Sequence, residues 1–193
     1  MPVTADIQIL SFKSCVHWEV WLAENHTLTA GIWLRMFKKS SGRPTVTYAE
    51  ALDVALCYGW IDGLRKSHDA DSFIQKFTPR RQRSLWSKIN CGHVKRLREA
   101  GKMKPPGEAA VEAAKKDGRW KAAYDGPGKA TIPKDFLREL AKNKKAKEFF
   151  ATLNKTNLYS IIWRLQTAKK PETRARRQNA IIEMLAAGKR FHQ

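Results

Sequence analysis

Pro79 marks the change in sequence pattern that most constrains the fold. Before it, residues 31–37 alternate apolar and mixed side chains, as a half-buried strand does. Residues 60–66 and 72–78 flank a polar turn and fit an antiparallel pair. After Pro79 the apolar residues recur at helical spacing almost to the end of the chain. We therefore predict an α+β fold, predominantly α-helical, with a small antiparallel sheet packed with helices and a helical C-terminal region.

Capping residues and prolines predict where the helices begin. Thr47 and Glu50 have the spacing of a capping box, and glycines follow several of the apolar runs. The expected helix starts are Ser14, Thr47, Asn90, Pro105, Pro133, Lys145, Thr156 and Pro171. The periodicity also places side chains in the interior. Those expected to face inward include Trp18, Trp21, Tyr48, Leu137 and Trp163.

The loop Tyr124-Asp-Gly-Pro-Gly128 is the best internal boundary in the chain. We predict an α+β core over residues 1–124 and a helical region over residues 129–193 that packs on it. The length of 193 residues suits one compact unit of this kind.

The net charge of +19 is unevenly distributed. Residues 1–60 carry five basic and five acidic side chains, so the whole excess falls on residues 61–193. An excess confined to one part of a chain predicts a basic surface. The partner expected for such a surface is a polyanion, namely an acidic protein, an anionic lipid surface or a nucleic acid.

Cysteine usage and hydropathy predict a cytoplasmic protein. The three cysteines have no disulfide spacing, which favours a reducing compartment. No run of apolar residues is long enough to span a membrane, and residues 1–10 do not read as a signal peptide. The pairs Cys15-Val-His17 and Cys91-Gly-His93 lack the spacing of zinc modules, so neither a metal nor a cofactor is predicted.

Residues 80–90, which we call the arginine–serine block, concentrate groups that bind anions. Arg80, Arg81 and Arg83 fall within four positions, and Ser84, Ser87 and Asn90 follow at intervals of three. On a helix that interval would bring the polar side chains together. Arginine forks, hydroxyls and free amides at a helix start together predict an anion site. The alternative is internal neutralisation of the arginines by nearby aspartates. The candidates for that role are Asp62, Asp69 and Asp71.

Residues outside the block complete the predicted site. Trp60 and Trp86 could stack on a ligand, although large rings near such blocks more often belong to the core. The last helix begins with a basic cluster, which either meets an external anion or is simply solvated. The predicted anion- or partner-binding residues are Trp60, Asp62, Arg80, Arg81, Arg83, Ser84, Trp86, Ser87, Asn90, Arg119, Lys169, Arg174 and Arg177.

Five sequence blocks in order, spread between Trp18 and Gly188, resemble the YdeI/OmpD-associated family. The blocks are Tyr58-Gly-Trp-Ile-Asp-Gly63, Phe77-Thr-Pro-Arg-Arg-Gln-Arg-Ser-Leu-Trp-Ser-Lys-Ile-Asn90, Gly101-Lys-Met103, Asp117-Gly-Arg-Trp120 and Ala168-Lys-Lys-Pro-Glu-Thr-Arg-Ala-Arg-Arg177. The resemblance implies a role in bacteriocin protection or antimicrobial-peptide resistance. It implies no established reaction and brings no catalytic residues.

Together these observations predict a non-enzymatic cytosolic stress or resistance protein with a basic anion-binding surface. Because like charges repel, such a protein is not expected to sequester cationic peptides directly. A sequence-tolerant nucleic-acid-binding protein is the first alternative. An enzyme acting on a phosphorylated small molecule is the second, and it would need a pocket that joins Asp62 to Arg80 and Arg83.

Overall fold

The computed structural model describes residues 7–193. The residues before them, which include most of the stretch considered for a signal peptide, lie outside the described part. The chain divides into two compact units, the first ending at Ala123 and the second running from Tyr124 to Gln193. The predicted, predominantly helical α+β class is confirmed.

The first unit contains the sheet. Its elements are β1 (Ile9–Ser11), α1 (Cys15–Asn25), β2 (Ile32–Phe37), a 3-10 turn (Lys39–Ser41), α2 (Tyr48–Cys57), β3 (Trp60–Ser67), β4 (Ser72–Pro79), α3 (Lys88–Glu99) and α4 (Pro105–Lys116). The second unit is all helical. Its elements are α5 (Lys134–Leu140), α6 (Lys144–Phe150), α7 (Lys155–Gln166) and α8 (Pro171–Ala186).

The sheet has four strands in the order β1-β2-β4-β3. The three longer strands pair antiparallel, as predicted, with Ile32 opposite Phe77 and an irregularity between Asp62 and Arg65. The sequence did not predict the fourth strand, β1, which pairs parallel to β2 at the edge. With only three residues, β1 is too short to produce a recognisable alternation in the sequence.

The core of the first unit is built on the alternation within β2. Ile32, Leu34 and Met36 are buried, whereas the residues between them are only half-buried. Trp18 and Trp60 are completely buried, and their indole nitrogens donate to the carbonyls of Ala51 and His26. Because both indole N–H groups have hydrogen-bond partners, these rings can be buried without leaving an unsatisfied donor.

Two predicted helix starts are wrong by a few residues. The capping box of Thr47 and Glu50 is confirmed at α2. In α3, however, Ser87 is the N-cap and accepts from the backbone of Asn90, while α7 begins after Asn154 rather than Thr156. In both helices the N-cap side chain accepts from the backbone N–H of the third residue after it. Each observed cap therefore lies within one turn before the predicted one.

Two side chains expected in the interior are exposed. Tyr48 and Leu137 are each 42% exposed. Trp163 is half-buried. The buried side chains of the second unit come from four helices and form a separate core. They include Phe136, Leu140, Ala146, Ile161, Leu165, Ile181 and Leu185.

Within residues 7–193, no helix has the length and apolar character that crossing a membrane requires.

Candidate functional site

The arginine–serine block begins as a tight turn at the end of β4. The backbone of Arg80 donates to the carbonyl of Gly59 at 2.9 Å, which holds the first residue of the block to the start of β3. The backbone of Arg81 then donates to Ser84 Oγ at 2.8 Å, and the backbone of Ser84 donates back to the Arg81 carbonyl at 2.9 Å. These bonds fix the turn without using any arginine side chain.

Arg80 is packed against an aromatic ring. Its guanidinium carbon lies 3.4 Å from the ring centroid of Trp86, and Nη1 donates to the Leu85 carbonyl at 3.0 Å. Trp86 itself is only 2% exposed and contacts Trp120 with the ring centroids 4.8 Å apart. Trp86 is therefore part of the core, and it cannot stack on a ligand without rearrangement.

Arg81 and Arg83 are exposed to solvent. Neither forms an ion pair with any carboxylate in the described part of the chain. Two of the aspartates that could have neutralised them are engaged elsewhere. Asp62 accepts from the Tyr48 hydroxyl at 2.8 Å, and Asp69 pairs with an arginine of β2 at 2.6 Å. These two arginines thus present unneutralised charge to the solvent.

The three polar side chains of the block do not form one cluster. Ser84 Oγ accepts from the backbone of Arg81, and Ser87 Oγ accepts from the backbone of Asn90 at 3.1 Å. The expectation that all three share one helical face is wrong, because α3 begins at Lys88 and includes only Asn90. The two serines shape the backbone of the block.

Arg119 supports the block from the protein interior. It is 6% exposed, its Nε donates to Asp117 Oδ2 at 2.7 Å, and its Nη1 donates to the Ser84 carbonyl at 2.9 Å. Its charge is therefore matched by a carboxylate close by in the sequence. A ligand in solvent could not reach it.

Trp60 and Asp62 lie two positions apart on β3 and differ in accessibility. Trp60 is fully buried beneath the sheet, where it packs edge-on against two other tryptophans. Asp62 accepts from Tyr48, and partial burial together with this carboxylate raises the pKa of the Tyr48 phenol. Trp60 therefore belongs to the core, and Asp62 acts as the acceptor for a tyrosine.

The predicted basic cluster at the last helix separates into different environments. Lys169 is exposed, but Arg174 holds Asp135 with two nitrogens and keeps the pKa of that carboxyl low. Arg177 donates from Nη1 to the Arg164 carbonyl at 2.7 Å and to Thr167 Oγ1 at 3.1 Å. Arg174 also donates from Nη1 to the Leu165 carbonyl at 2.8 Å, so both arginines meet the C-terminal end of α7, where carbonyl groups lack helical partners.

The outer face of the sheet carries an aromatic and cationic surface that the sequence reasoning missed. Two half-buried rings of β2, Trp33 and Phe37, lie on it with positive groups above them. The cations within 6 Å of those ring centroids are Arg35, Arg43, Lys66 and Lys76. The alternation of β2 was visible in the sequence, but the lysines arrive from other strands and their position depends on register.

The first unit also has a cavity of about 280 Å³ among α1, α2 and the segment around Lys104. Three of the charged groups that line it are paired: Lys104 contacts Glu19 at 3.2 Å, and Asp53 pairs with Arg96 at 2.7 Å. Burial raises the pKa of the Cys57 thiol to about 11, so it stays protonated and poorly nucleophilic near neutral pH. The residues of the proposed phosphate-ester pocket do not line this cavity.

Within residues 7–193, no group of three or more histidine, cysteine, aspartate or glutamate side chains is arranged to hold a metal ion.

Two family models match the chain. The one described as a domain of unknown function (DUF8412) covers residues 10–110, which is more than half of the sequence. The one described as bacteriocin-protection, YdeI or OmpD-associated covers residues 129–188 and confirms the resemblance over that segment. The motif blocks at 58–63 and 77–90 fall within the first match instead.

No curated protein and no solved structure gave a match. The chain therefore belongs to the family of the domain of unknown function DUF8412, and its residues 129–188 are of the YdeI/OmpD-associated type.

Proposed function

We propose that this protein is a non-enzymatic, cytosolic resistance protein that binds a polyanionic partner through the arginine–serine block. One observation carries the proposal: Arg81 and Arg83 are exposed and form no ion pair with any carboxylate among the described residues. Two like charges held close together by a fixed turn attract an external anion. The turn itself is maintained by backbone and serine contacts, which leaves both guanidinium groups available.

Support for a role in resistance comes from the family model described as bacteriocin-protection, YdeI or OmpD-associated, which matches residues 129–188. A net charge of +19 repels cationic peptides, so protection would depend on an acidic partner rather than on capture of the peptide. All three cysteines are free, which agrees with a reducing compartment. The pairing of Glu19, Asp53 and Lys104 at the first unit's cavity supports a binding role over a catalytic one.

Sequence-tolerant binding of single-stranded nucleic acid is a second candidate, and the outer face of the sheet favours it. Trp33 and Phe37 could stack on bases while the surrounding cations contact phosphates. Lys66 and Lys76 lie 5.0 and 5.9 Å from the Trp33 ring, so they would have to move aside when a base stacks there. The two candidates therefore use different surfaces of the first unit.

The proposal is tested by the salt dependence of polyanion binding to the full chain. The probes are a fluorescent poly-dT oligonucleotide and a fluorescent polyglutamate, measured by anisotropy over a series of salt concentrations. We expect the double variant Arg81→Gln/Arg83→Gln to weaken binding of both probes. For the oligonucleotide, each lost phosphate contact should reduce the slope of log affinity against log salt by about 0.7.

Two further double variants separate the candidates. Arg138→Gln/Arg176→Gln removes the same charge from exposed positions of the second unit and should leave binding nearly unchanged. Lys66→Gln/Lys76→Gln should affect only the oligonucleotide, and only if the sheet face binds it. Equal weakening by the two arginine double variants would refute a role for the arginine–serine block.

A further inference from the structure

A second cavity lies within the second unit, between α7 and α8. It has a volume of about 320 Å³, near the lower end of the range of about 300–1,000 Å³ for small-molecule pockets. Most of its wall is apolar, with Trp163 from α7, Ile181 and Met184 from α8, and Phe191 from the segment after α8. A cavity of this size and lining suits a compact ligand with an apolar body.

Two guanidinium groups line the same cavity. Arg164 lies over the ring of Phe191 at 3.7 Å and donates from Nη1 to the Ser160 carbonyl at 3.0 Å. Arg177 also uses only Nη1 in its contacts with the end of α7. Guanidinium groups have further N–H donors on Nε and Nη2. Within residues 7–193 those donors of Arg164 and Arg177 have no hydrogen-bond partner.

The two charges have no counter-ion in the described part of the chain. Neither Arg164 nor Arg177 forms an ion pair with a carboxylate of residues 7–193. Burial and the neighbouring Arg177 lower the pKa of Arg164, although an arginine remains charged at neutral pH. One turn earlier on α8, Arg174 is matched by Asp135. The positive charges of Arg164 and Arg177 therefore repel each other, and a bound anion would reduce this repulsion.

We propose that this cavity binds a small organic monocarboxylate with an aromatic or short alkyl body. The carboxylate accepts from the available donors of Arg164 and Arg177, which suit the fork geometry of a carboxylate. The apolar body packs against Trp163, Ile181 and Met184. Inorganic phosphate fits the cavity poorly, because its remaining oxygens would face apolar walls without partners. This proposal is independent of the role of the arginine–serine block.

The test is isothermal titration calorimetry of the full chain with 3-phenylpropionate. We expect saturable binding at one site per chain, with a Kd of about 1 mM or lower. Two matched probes divide the interaction into its parts: 3-phenylpropanamide keeps the body without the charge, and acetate keeps the charge without the body. Each should bind at least about tenfold more weakly: the amide because it loses hydrogen bonds to a charged group, and acetate because it buries almost no apolar surface.

Variants then locate the site. Arg164→Gln and Arg177→Gln should each weaken 3-phenylpropionate binding about tenfold, and Arg176→Gln, an exposed neighbour on α8, should not. Because Arg177 also caps α7, circular dichroism must confirm that its variant is folded. Ala180→Leu narrows the cavity without changing any charge and should also reduce binding.

Three outcomes would overturn the proposal. They are no saturable binding of 3-phenylpropionate at roughly 10 mM, equal affinity for the amide, and equal weakening by Arg176→Gln and Arg164→Gln.

Discussion

Each unit of the protein contains an arginine stacked on an aromatic ring, and the two arginines differ in their surroundings. Arg80 lies over Trp86 at 3.4 Å, and Arg164 lies over Phe191 at 3.7 Å. Both donate from Nη1 to a nearby backbone carbonyl. Trp86 is nearly inaccessible and belongs to a core, whereas Phe191 is half-buried at the edge of a cavity that a second arginine also lines.

The comparison shows that the stacked contact alone does not define a binding residue. Beside Trp86 the guanidinium fills space in a packed interior, whereas Arg81 and Arg83 are the exposed arginines of the block. Beside Phe191 the guanidinium of Arg164 lines the cavity of the second unit and lies near the positive charge of Arg177. Whether a stacked arginine can bind a ligand therefore depends on the groups and the free volume around it, and not on the contact with the aromatic ring.

The largest expected difference between the two stacks is in stability. Trp86→Ala should lower the free energy of unfolding by about 3–5 kcal/mol, because it empties a buried site that also contacts Trp120. Phe191→Ala should cost only about 1 kcal/mol, because its ring is half-buried. Urea unfolding followed by circular dichroism measures both. Leu64→Ala, at a side chain 67% exposed, serves as the control. Similar losses for the two ring variants would contradict the distinction.

The next contrast concerns arginines that do have carboxylate partners. Asp117→Asn should destabilise by about 2 kcal/mol and Asp135→Asn by about 1 kcal/mol, since each weakens a charged hydrogen bond. The order follows from burial, because the Arg119 side chain is 6% exposed and that of Arg174 is 29% exposed. The same urea titrations measure these values. A larger loss for Asp135→Asn would show that burial of the arginine does not set the cost.

The pH dependence of stability should sharpen that contrast. Hydrogen bonding to Arg174 lowers the folded-state pKa of Asp135. The ion pair of Asp135 with Arg174 therefore stabilises the fold fully above the unfolded-state pKa of an aspartate, near 3.9. This stabilisation is lost as the pH falls through the lower folded-state pKa. The difference in unfolding free energy between the wild type and Asp135→Asn should shrink as the pH is lowered from about 5 toward 2. A difference that stays constant over this range would exclude the ion pair as its source.

The smallest effect on stability should come from the exposed arginines of the block. Arg81→Gln/Arg83→Gln should change the free energy of unfolding by no more than about 0.5 kcal/mol, since neither side chain has a described ion-pair partner. The measurement is the same urea titration, made beside the polyanion-binding assay. A loss of several kcal/mol would mean that these cations stabilise the fold.

Local patterns predicted much of the fold. The alternation of β2 and the capping box of α2 depend on residues close in sequence, and both are confirmed. The edge strand β1 was missed because a three-residue strand has too little pattern of its own. The cap of α3 was misplaced because Ser87 and Asn90 are both good capping residues, and only the geometry decides between them.

The site was harder to predict because its character depends on long-range neighbours. Arg174 looked like a free cation, yet Asp135, thirty-nine positions away, binds it. The sequence pattern did not predict Arg164 as a binding residue. Its role in the proposed carboxylate site depends on Arg177 and Phe191, which folding places beside it. Among the predicted arginines, Arg81 and Arg83 are exposed and pair with no carboxylate of residues 7–193, as the composition suggested.

The parallel edge strand has a consequence for the order of folding. The β3–β4 hairpin closes across residues 68–71, whereas β1 reaches β2 only after the chain has crossed residues 12–31 and formed α1. Closing the longer loop costs more chain entropy, so β1 should join a sheet that is already assembled. The amide protons of its few ladder bonds should then exchange with solvent well before those of the hairpin.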